Sequence, residues 1–375
     1  MIPITKPYTF PEEEKLVTRV LRSGWLTQGE QTAEFEKMVA KYVGAKYAVA
    51  CNSCTTALFL CLKVLGIEAG DEVIVPSYTF IATPNAVMQT GARPVFAEIN
   101  LATYNIDPED IEKRITKRTK AVIAVDQVGL PADWSELNRI GKKYGLKIVS
   151  DAACALGSTY HGRRVGGLAE LNCFSFHPRK LITTGEGGMI TTDNQRLARE
   201  LQTMVSHGAS LSEISRHKAR HPVKETYNRI GYNFRLSNVQ GAMGVSQMKK
   251  LDWILKQRVR LAERYNRAFS RSVNIIAPVP AAGVEPNYQT YMVRLSPAIK
   301  ISREKIIARL AAAGIASRPG IMACHLEPVY RKIYPKINLP NTESAYRTGL
   351  ILPLYAEMKI TDQDKVIKTL QDITR

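Results

Sequence analysis

Four short stretches bring together residue types able to carry chemistry. Asp151 directly follows the apolar run Lys147-Ile-Val-Ser150, in the segment Ser150-Asp-Ala-Ala-Cys-Ala-Leu-Gly157. An acid there can cap the next helix, or it can hold a ring nitrogen protonated, as a pyridinium electron sink requires. Lys180 lies in Ser175-Phe-His-Pro-Arg-Lys-Leu-Ile-Thr-Thr-Gly-Glu-Gly-Gly188. A loop lysine is ordinarily a solvated charge, but apolar strands flank this one, and desolvation is expected to lower its pKa and make it nucleophilic. Gly185, Gly187 and Gly188 let the backbone turn sharply close to a bound group. Asn52-Ser53-Cys54-Thr55-Thr56 joins a strand to a helix start, where Ser53 or Thr55 can cap and free amides can hold an anion. Phe80, after Val75-Pro-Ser-Tyr-Thr79, can stack on a flat ring or fill a core.

In chain order these are a phosphate cradle, a ring stacker, a ring-nitrogen acid and an amine nucleophile. No single element is specific, but the ordered set is what pyridoxal 5′-phosphate needs.

The elements that must position them alternate in the manner of α/β units around a mostly parallel sheet. Strands are predicted at Tyr47–Ala50, Glu72–Val75, Pro94–Glu98, Ala121–Val125, Lys147–Ser150, Cys173–Phe176 and Met189–Thr192. Helices are predicted at Thr55–Leu65, Ile81–Gln89, Pro108–Ile115 and Trp134–Tyr144, then as a long amphipathic run from Asn238 to Ser270 broken near Leu251. Beyond it come a strand at Tyr288–Leu295 and helices at Ser302–Ala313 and Asp362–Ile373. The pattern changes near residue 250, dividing the chain into a large domain over 1–250 and a smaller α+β domain over 251–375. Ligands of open α/β sheets gather at the carboxyl ends of the strands, where Ser53, Phe80, Asp151 and Lys180 fall.

Composition agrees with this class. The 375 residues, 45% apolar and 23% charged, exclude a disordered or collagen-like chain. No apolar run approaches the roughly 18 residues of a membrane-spanning helix, and the start lacks a signal-peptide plan, so the expected compartment is the cytoplasm. Fifty-two Lys plus Arg against 34 Asp plus Glu give a net charge of +18, which invites a nucleic-acid partner. The basic residues are spread along the chain, without aromatic-interleaved basic motifs, so the charge supports acidic ligands without choosing among them. Six cysteines stand at 51, 54, 61, 154, 173 and 324. Cys51-Asn-Ser-Cys54 has the spacing of a redox pair or half a zinc site, but no second pair completes a metal site, and reduced thiols are expected.

The chain resembles the sugar-nucleotide aminotransferases of the DegT/StrS type, within fold type I of the pyridoxal phosphate enzymes. The blocks that carry the resemblance are Ser23-Gly-Trp-Leu-Thr-Gln-Gly29, Phe174-Ser-Phe-His-Pro-Arg-Lys180 through Thr184-Gly-Glu-Gly-Gly188, Gly231-Tyr-Asn-Phe-Arg-Leu-Ser-Asn238, and Ile315-Ala-Ser-Arg-Pro319. Arg318 and the following His325 look most like perosamine-synthase-type enzymes acting on nucleotide-linked 4-keto-6-deoxyhexoses. The resemblance implies that Lys180 carries the cofactor and shuttles the proton, that Asp151 pairs with the pyridine nitrogen, and that Phe80 stacks on the ring. It places Ser53, Thr55 and Ser175 on the phosphate and brings Asn233 to it from a neighbouring subunit, hence a homodimer with shared active sites. Glutamate is the implied amino donor, and Lys218, Arg220 or Lys224 would grip the substrate's diphosphate. Three positions depart from the family pattern. Cys54 replaces a glycine of the phosphate turn, which is expected to strain or reshape it. Cys154 replaces a Gln or Glu beside the cofactor, and Asp126-Gln127 stands where relatives carry His; both changes are expected close to the ring and the sugar. Relatives acting as dehydratases replace the lysine with His, which Lys180 argues against. The alternative of another class is a non-catalytic regulator binding a partner or nucleic acid.

Overall fold

The β-branched runs assemble into one seven-stranded sheet in a computed structural model that describes residues 1–211, 215–216 and 224–375. Its strands are β1 (Tyr47–Cys51), β2 (Glu72–Pro76), β3 (Arg93–Ala97), β4 (Thr119–Val125), β5 (Lys147–Asp151), β8 (Leu171–Ser175) and β9 (Gly188–Thr192), with the short β6 (Thr159–Tyr160) and β7 (Arg163–Arg164) lying outside it. The spatial order is β1-β9-β8-β5-β4-β2-β3. Only β9 runs against the others. The strands are largely apolar because both faces are covered. In β4, Val122 and Ala124 pack with Trp134, Leu137 and Ile140 on one side. Ala121 and Ile123 pack with Leu58, Leu60 and Leu62 on the other.

Local signals set the helix bounds. In Trp134–Tyr144 the buried Trp134, Leu137 and Ile140 recur at helical spacing, Asp133 accepts a bond from the Glu136 amide, and Gly145 ends the helix at φ 67°. Each fully buried leucine or isoleucine of this kind contributes about 1.5–3 kcal/mol. The long run breaks as expected, into Asn238–Met248 and Leu251–Phe269. A second, antiparallel sheet has the order β10-β12-β14-β13. Its strands are β10 (Ile275–Ile276), β12 (Tyr291–Leu295), β13 (Arg318–Pro319) and β14 (Gly349–Leu352), and β11 (Val284–Glu285) pairs instead with β6. Leu261, Tyr265, Ile306, Leu310, Val366 and Leu370 pack around this sheet, with Ile2 from the other end of the chain.

The parallel arrangement brings the carboxyl ends of β1, β2, β4, β5 and β8 to one edge, where β9 begins. Gly188 pairs with both Cys51 and Ser175, so the turn after β1 and the loop after β8 meet there.

At this edge Asp126 is fully buried, its amide 3.1 Å from the Asp151 carbonyl. Its Oδ1 accepts bonds of 2.9 Å from the Ala132 amide and from Trp134 Nε1, and its Oδ2 accepts one of 3.0 Å from Ser150 Oγ. The buried Gln127 donates its amide to the Tyr78 carbonyl. The Asp126-Gln127 pair therefore builds the loop after β4.

Burial pushes the Asp126 carboxyl up to about 7, against the pull of the Ala132, Ser150 and Trp134 donors. A proton thus binds the folded chain more tightly than the unfolded one. The resulting stabilisation is full below the unfolded pKa and is lost as pH rises through about 7. Asp126→Asn keeps an acceptor for Ala132 and Trp134 but cannot ionise. The melting-temperature advantage of wild type over this variant should therefore shrink between about pH 5 and pH 8; an advantage constant across that range would contradict the assignment.

Candidate functional site

The turn after β1 is a ready anion cradle. Ser53 caps the helix Cys54–Val64, its hydroxyl 3.2 Å from the Thr56 amide, while the Thr56 hydroxyl receives the Ser53 amide in return. The Cys54 and Thr55 amides find no acceptor within the described residues and project from a helix N-terminus. Contrary to expectation, Cys54 does not strain the turn: its φ is not positive, and Ser53 has ordinary extended geometry at φ −163°. Burial holds the Cys54 thiol well above its usual pKa, so it stays neutral beside an anion. Ser175 lies across Gly188 from this turn. Cys51 is buried with its thiol on the Ser53 carbonyl, and burial pushes its pKa up to about 12, which suits packing rather than redox chemistry.

Asp151 ends β5 at 5% exposure. Its Oδ2 accepts a 2.8 Å bond from Thr83 Oγ1 and its Oδ1 a 3.2 Å bond from the Ala153 amide. Burial raises its pKa, with the Thr83 and Ala153 bonds and the Lys180 charge pulling the other way. No cation pairs with it at ion-pair distance among the described residues. Thr83 also donates its amide to the Phe80 carbonyl, which ties Phe80 to the carboxylate. The Phe80 ring is 64% exposed, so the reading of it as core fails. An exposed aromatic ring tied through Thr83 to a buried carboxylate without an ion-pair partner among the described residues suits a flat cationic ring.

Lys180 sits in a loop closed on itself. The Phe176 carbonyl accepts from the Thr184 amide and from Thr183 Oγ1, and the Phe176 amide donates to Gly187. Gly185 adopts φ +81°, and a β-carbon at Gly187 would lie 2.3 Å from Thr184 Oγ1, so both glycines are required. Lys180 Nζ lies 3.2 Å from Cys154 Sγ. Its pKa departs from expectation. Burial pulls it down, but Cys154, Cys54 and Asp151 outweigh burial and hold the amine above its ordinary value.

A network that the sequence did not disclose ties these parts together. Asn287 Nδ2 donates 2.8 Å to the Cys154 carbonyl and 2.9 Å to that of Leu156. Gln289 donates its side-chain amide to the Arg179 carbonyl, and Asn287 Oδ1 accepts from the Gln289 amide at 2.7 Å. The segment is held from behind by Arg258, only 4% exposed, whose guanidinium donates to the carbonyls of Tyr288, Gln289 and Leu354. Those bonds remove Tyr288 and Gln289 from the sheet, so β12 begins at Tyr291 rather than at the expected Tyr288. The only sequence signal was an arginine on the buried stripe of an amphipathic helix.

The remaining candidates divide. Asn233 is exposed, on a bridge to Ser206. Lys224 is exposed, while Lys218 and Arg220 lie outside the described residues. His325 is 2% exposed, with Nδ1 2.7 Å from Ser77 Oγ and Nε2 3.6 Å from Glu343, so it braces the end of β2 and offers no surface to a substrate. Arg318 is half-buried, and its Nε has no hydrogen-bond partner. Among the described residues no cluster of His, Cys, Asp or Glu could hold a metal.

The free amides, exposed ring, buried carboxylate and amine fit pyridoxal phosphate in kind and order. Comparisons with known proteins agree. A curated relative, the spore coat polysaccharide biosynthesis protein SpsC of Bacillus subtilis, is 37% identical over 98% of this chain and 97% of its own. Among solved structures, Helicobacter pylori PseC, an aminotransferase involved in pseudoaminic acid biosynthesis, superposes with a TM-score of 0.93 at 29% identity, covering 100% of this chain and 99% of its own. The pyridoxal phosphate form of Spr1654, a sugar aminotransferase candidate from Streptococcus pneumoniae, reaches 0.91 at 29% identity over 100% and 98%. The family model spans residues 8–371, and the chain belongs to the DegT/DnrJ/EryC1/StrS aminotransferase family.

Proposed function

We propose that this enzyme uses pyridoxal phosphate to aminate a nucleotide-linked keto sugar, a 4-keto-6-deoxyhexose, with glutamate as donor, in the cytoplasm. The observation that carries the proposal is the convergence of Lys180, Asp151, Phe80 and the free Cys54 and Thr55 amides on one sheet edge. The carbohydrate-linked roles named for SpsC and PseC support a sugar as the acceptor. A basic chain at +18 suits a substrate bearing a diphosphate.

When bound, the cofactor supplies an electron sink for the carbanion formed as the donor loses its α-proton. Lys180 Nζ holds the cofactor and, once released, takes the proton from the donor's α-carbon; the same atom returns a proton when the amino group passes to the sugar. Asp151, buried and in want of a cation, keeps the ring nitrogen protonated. The Cys54 and Thr55 amides, with Ser53, Thr55 and Ser175, hold the phosphate, and Phe80 fixes the ring plane. Asn233, exposed on its own subunit, serves the phosphate of the adjacent one, which makes the active unit a homodimer.

Lys180→Ala should lower turnover by at least roughly a thousandfold, the scale of lost proton transfer, while still binding pyridoxamine phosphate; appreciable residual transamination would sink the assignment. Asp151→Asn should cost about a hundredfold, the equivalent of one ~3 kcal/mol charge-assisted contact, with the melting temperature little changed. Near-wild-type turnover would refute its role. Mixing inactive Asn233→Ala and Lys180→Ala proteins should restore part of the activity through hybrid dimers; no recovery despite proven subunit exchange would count against shared sites.

A further inference from the structure

Among the described residues, Cys154 is the one cysteine whose sulfur has an amine at hydrogen-bond distance, 3.2 Å from Lys180 Nζ. Cys51, Cys61, Cys173 and Cys324 are buried, whereas Cys154 is half-buried. Burial also holds the Cys51, Cys54, Cys173 and Cys324 thiols neutral by raising their pKa, which suits inert packing. The Cys154–Lys180 pair joins positions 26 residues apart, and one segment fixes both of them. Asn287 donates 2.8 Å to the Cys154 carbonyl, and Gln289 donates to the carbonyl of Arg179, the residue before Lys180. The Lys180 amide is held in turn by the His177 carbonyl at 2.8 Å. A sulfur and an amine are thus kept face to face by bonds that neither side chain makes.

We propose that Cys154 and Lys180 form an oxidation site at which hydrogen peroxide joins the sulfur to the nitrogen, a modification whose effect on turnover rests on the cofactor reading above. The sulfur attacks one peroxide oxygen, the O–O bond breaks, and the departing hydroxide takes the thiol proton to become water. Sulfur is thereby oxidised to a sulfenic acid and peroxide is reduced. The neutral Lys180 amine then attacks that sulfur. The S–N bond forms, the S–O bond breaks, and the hydroxyl leaves as water with a proton from the nitrogen. Sulfenic acids close on backbone nitrogens in this way, and a primary amine is the stronger nucleophile. Burial favours the neutral amine, and Cys154 leads the groups that oppose it, so oxidising the thiol weakens that opposition. A thiol reductant reverses the step, returning thiol and amine and leaving as its own disulfide. A cofactor seated on Lys180 blocks the second attack. The enzyme is therefore open to this capture only while Nζ is free, between the two halves of the reaction.

The test treats purified protein with hydrogen peroxide after incubation with pyridoxamine phosphate or with pyridoxal phosphate, then digests it without reductant for mass spectrometry. In the pyridoxamine phosphate sample, the expected product is the Cys154 peptide joined to the Lys180 peptide, at their summed mass less two hydrogens. Dithiothreitol should separate the two peptides. Cys154→Ser, a nearly isosteric change, should lose the cross-link, and pyridoxal phosphate should suppress it in wild type. Cys154 recovered as an acid or in a disulfide, with Lys180 unmodified, overturns the proposal. So does a cross-link to Lys180 that survives in Cys154→Ser. Equal cross-linking with either cofactor form would leave the bridge standing and overturn the seating of the cofactor on Lys180. The bridge needs no sugar substrate, so failure to aminate any keto sugar would overturn the wider function alone.

Discussion

The site depends on the absence of a side chain at Gly188. A β-carbon there would lie 2.3 Å from the Ser53 carbonyl oxygen and 2.8 Å from the Cys54 nitrogen. No real neighbour tolerates such distances, so any other residue would push the turn after β1 away from β9. Because β9 lies between β1 and β8, Gly188 faces Cys51 on one side and Ser175 on the other. The anion cradle and the lysine loop, distant in sequence, thereby share one edge. The reversed direction of β9 matters equally, since it starts the strand at the edge where the others end.

The second constraint comes from the far side of the chain. Arg258 is a buried cation satisfied by three carbonyls, with no carboxylate partner among the described residues, and burial lowers its pKa to about 10. At neutral pH it remains charged, and its fork fixes the backbone of Tyr288 and Gln289. Asn287 and Gln289 then carry that rigidity to the carbonyls of Cys154 and Arg179. Lys180 is thus located from two directions, by its own closed loop and by a segment belonging to the approach to β12. In the proposed role as the reacting amine, Lys180 must be placed to a fraction of an ångström, and this double support supplies the stiffness.

Much of this was legible beforehand because it is local. Apolar runs at strand length, the Asp133 cap and the Gly185-Glu186-Gly187-Gly188 cluster have short-range causes that spacing reveals. The ordering of Ser53, Phe80, Asp151 and Lys180 at strand ends was legible for the same reason. The helix Pro11–Ser23, absent from the predicted elements, carries equally local marks, with proline at its start, Glu12 to Glu14 in its first turn and Gly24 at φ 72°. What could not be read were long-range pairings. Nothing in the spacing of Arg258 tells that it reaches residues 288, 289 and 354, or that Asp126 turns inward to Trp134 and Ser150. The Lys180 pKa escaped for a related reason: desolvation was foreseeable, but the opposing sulfur and carboxylate depend on neighbours that only the fold brings close.

The central claim, that Lys180 is the residue to which this sheet edge delivers the cofactor, is tested most directly by covalent trapping. Purified protein loaded with pyridoxal phosphate is reduced with borohydride, digested, and mapped by mass spectrometry. A single phosphopyridoxyl adduct on the peptide containing Lys180, abolished by prior incubation with glutamate, is the predicted result. An adduct spread over surface lysines, or seated on another residue with Lys180 unmodified, would contradict the account.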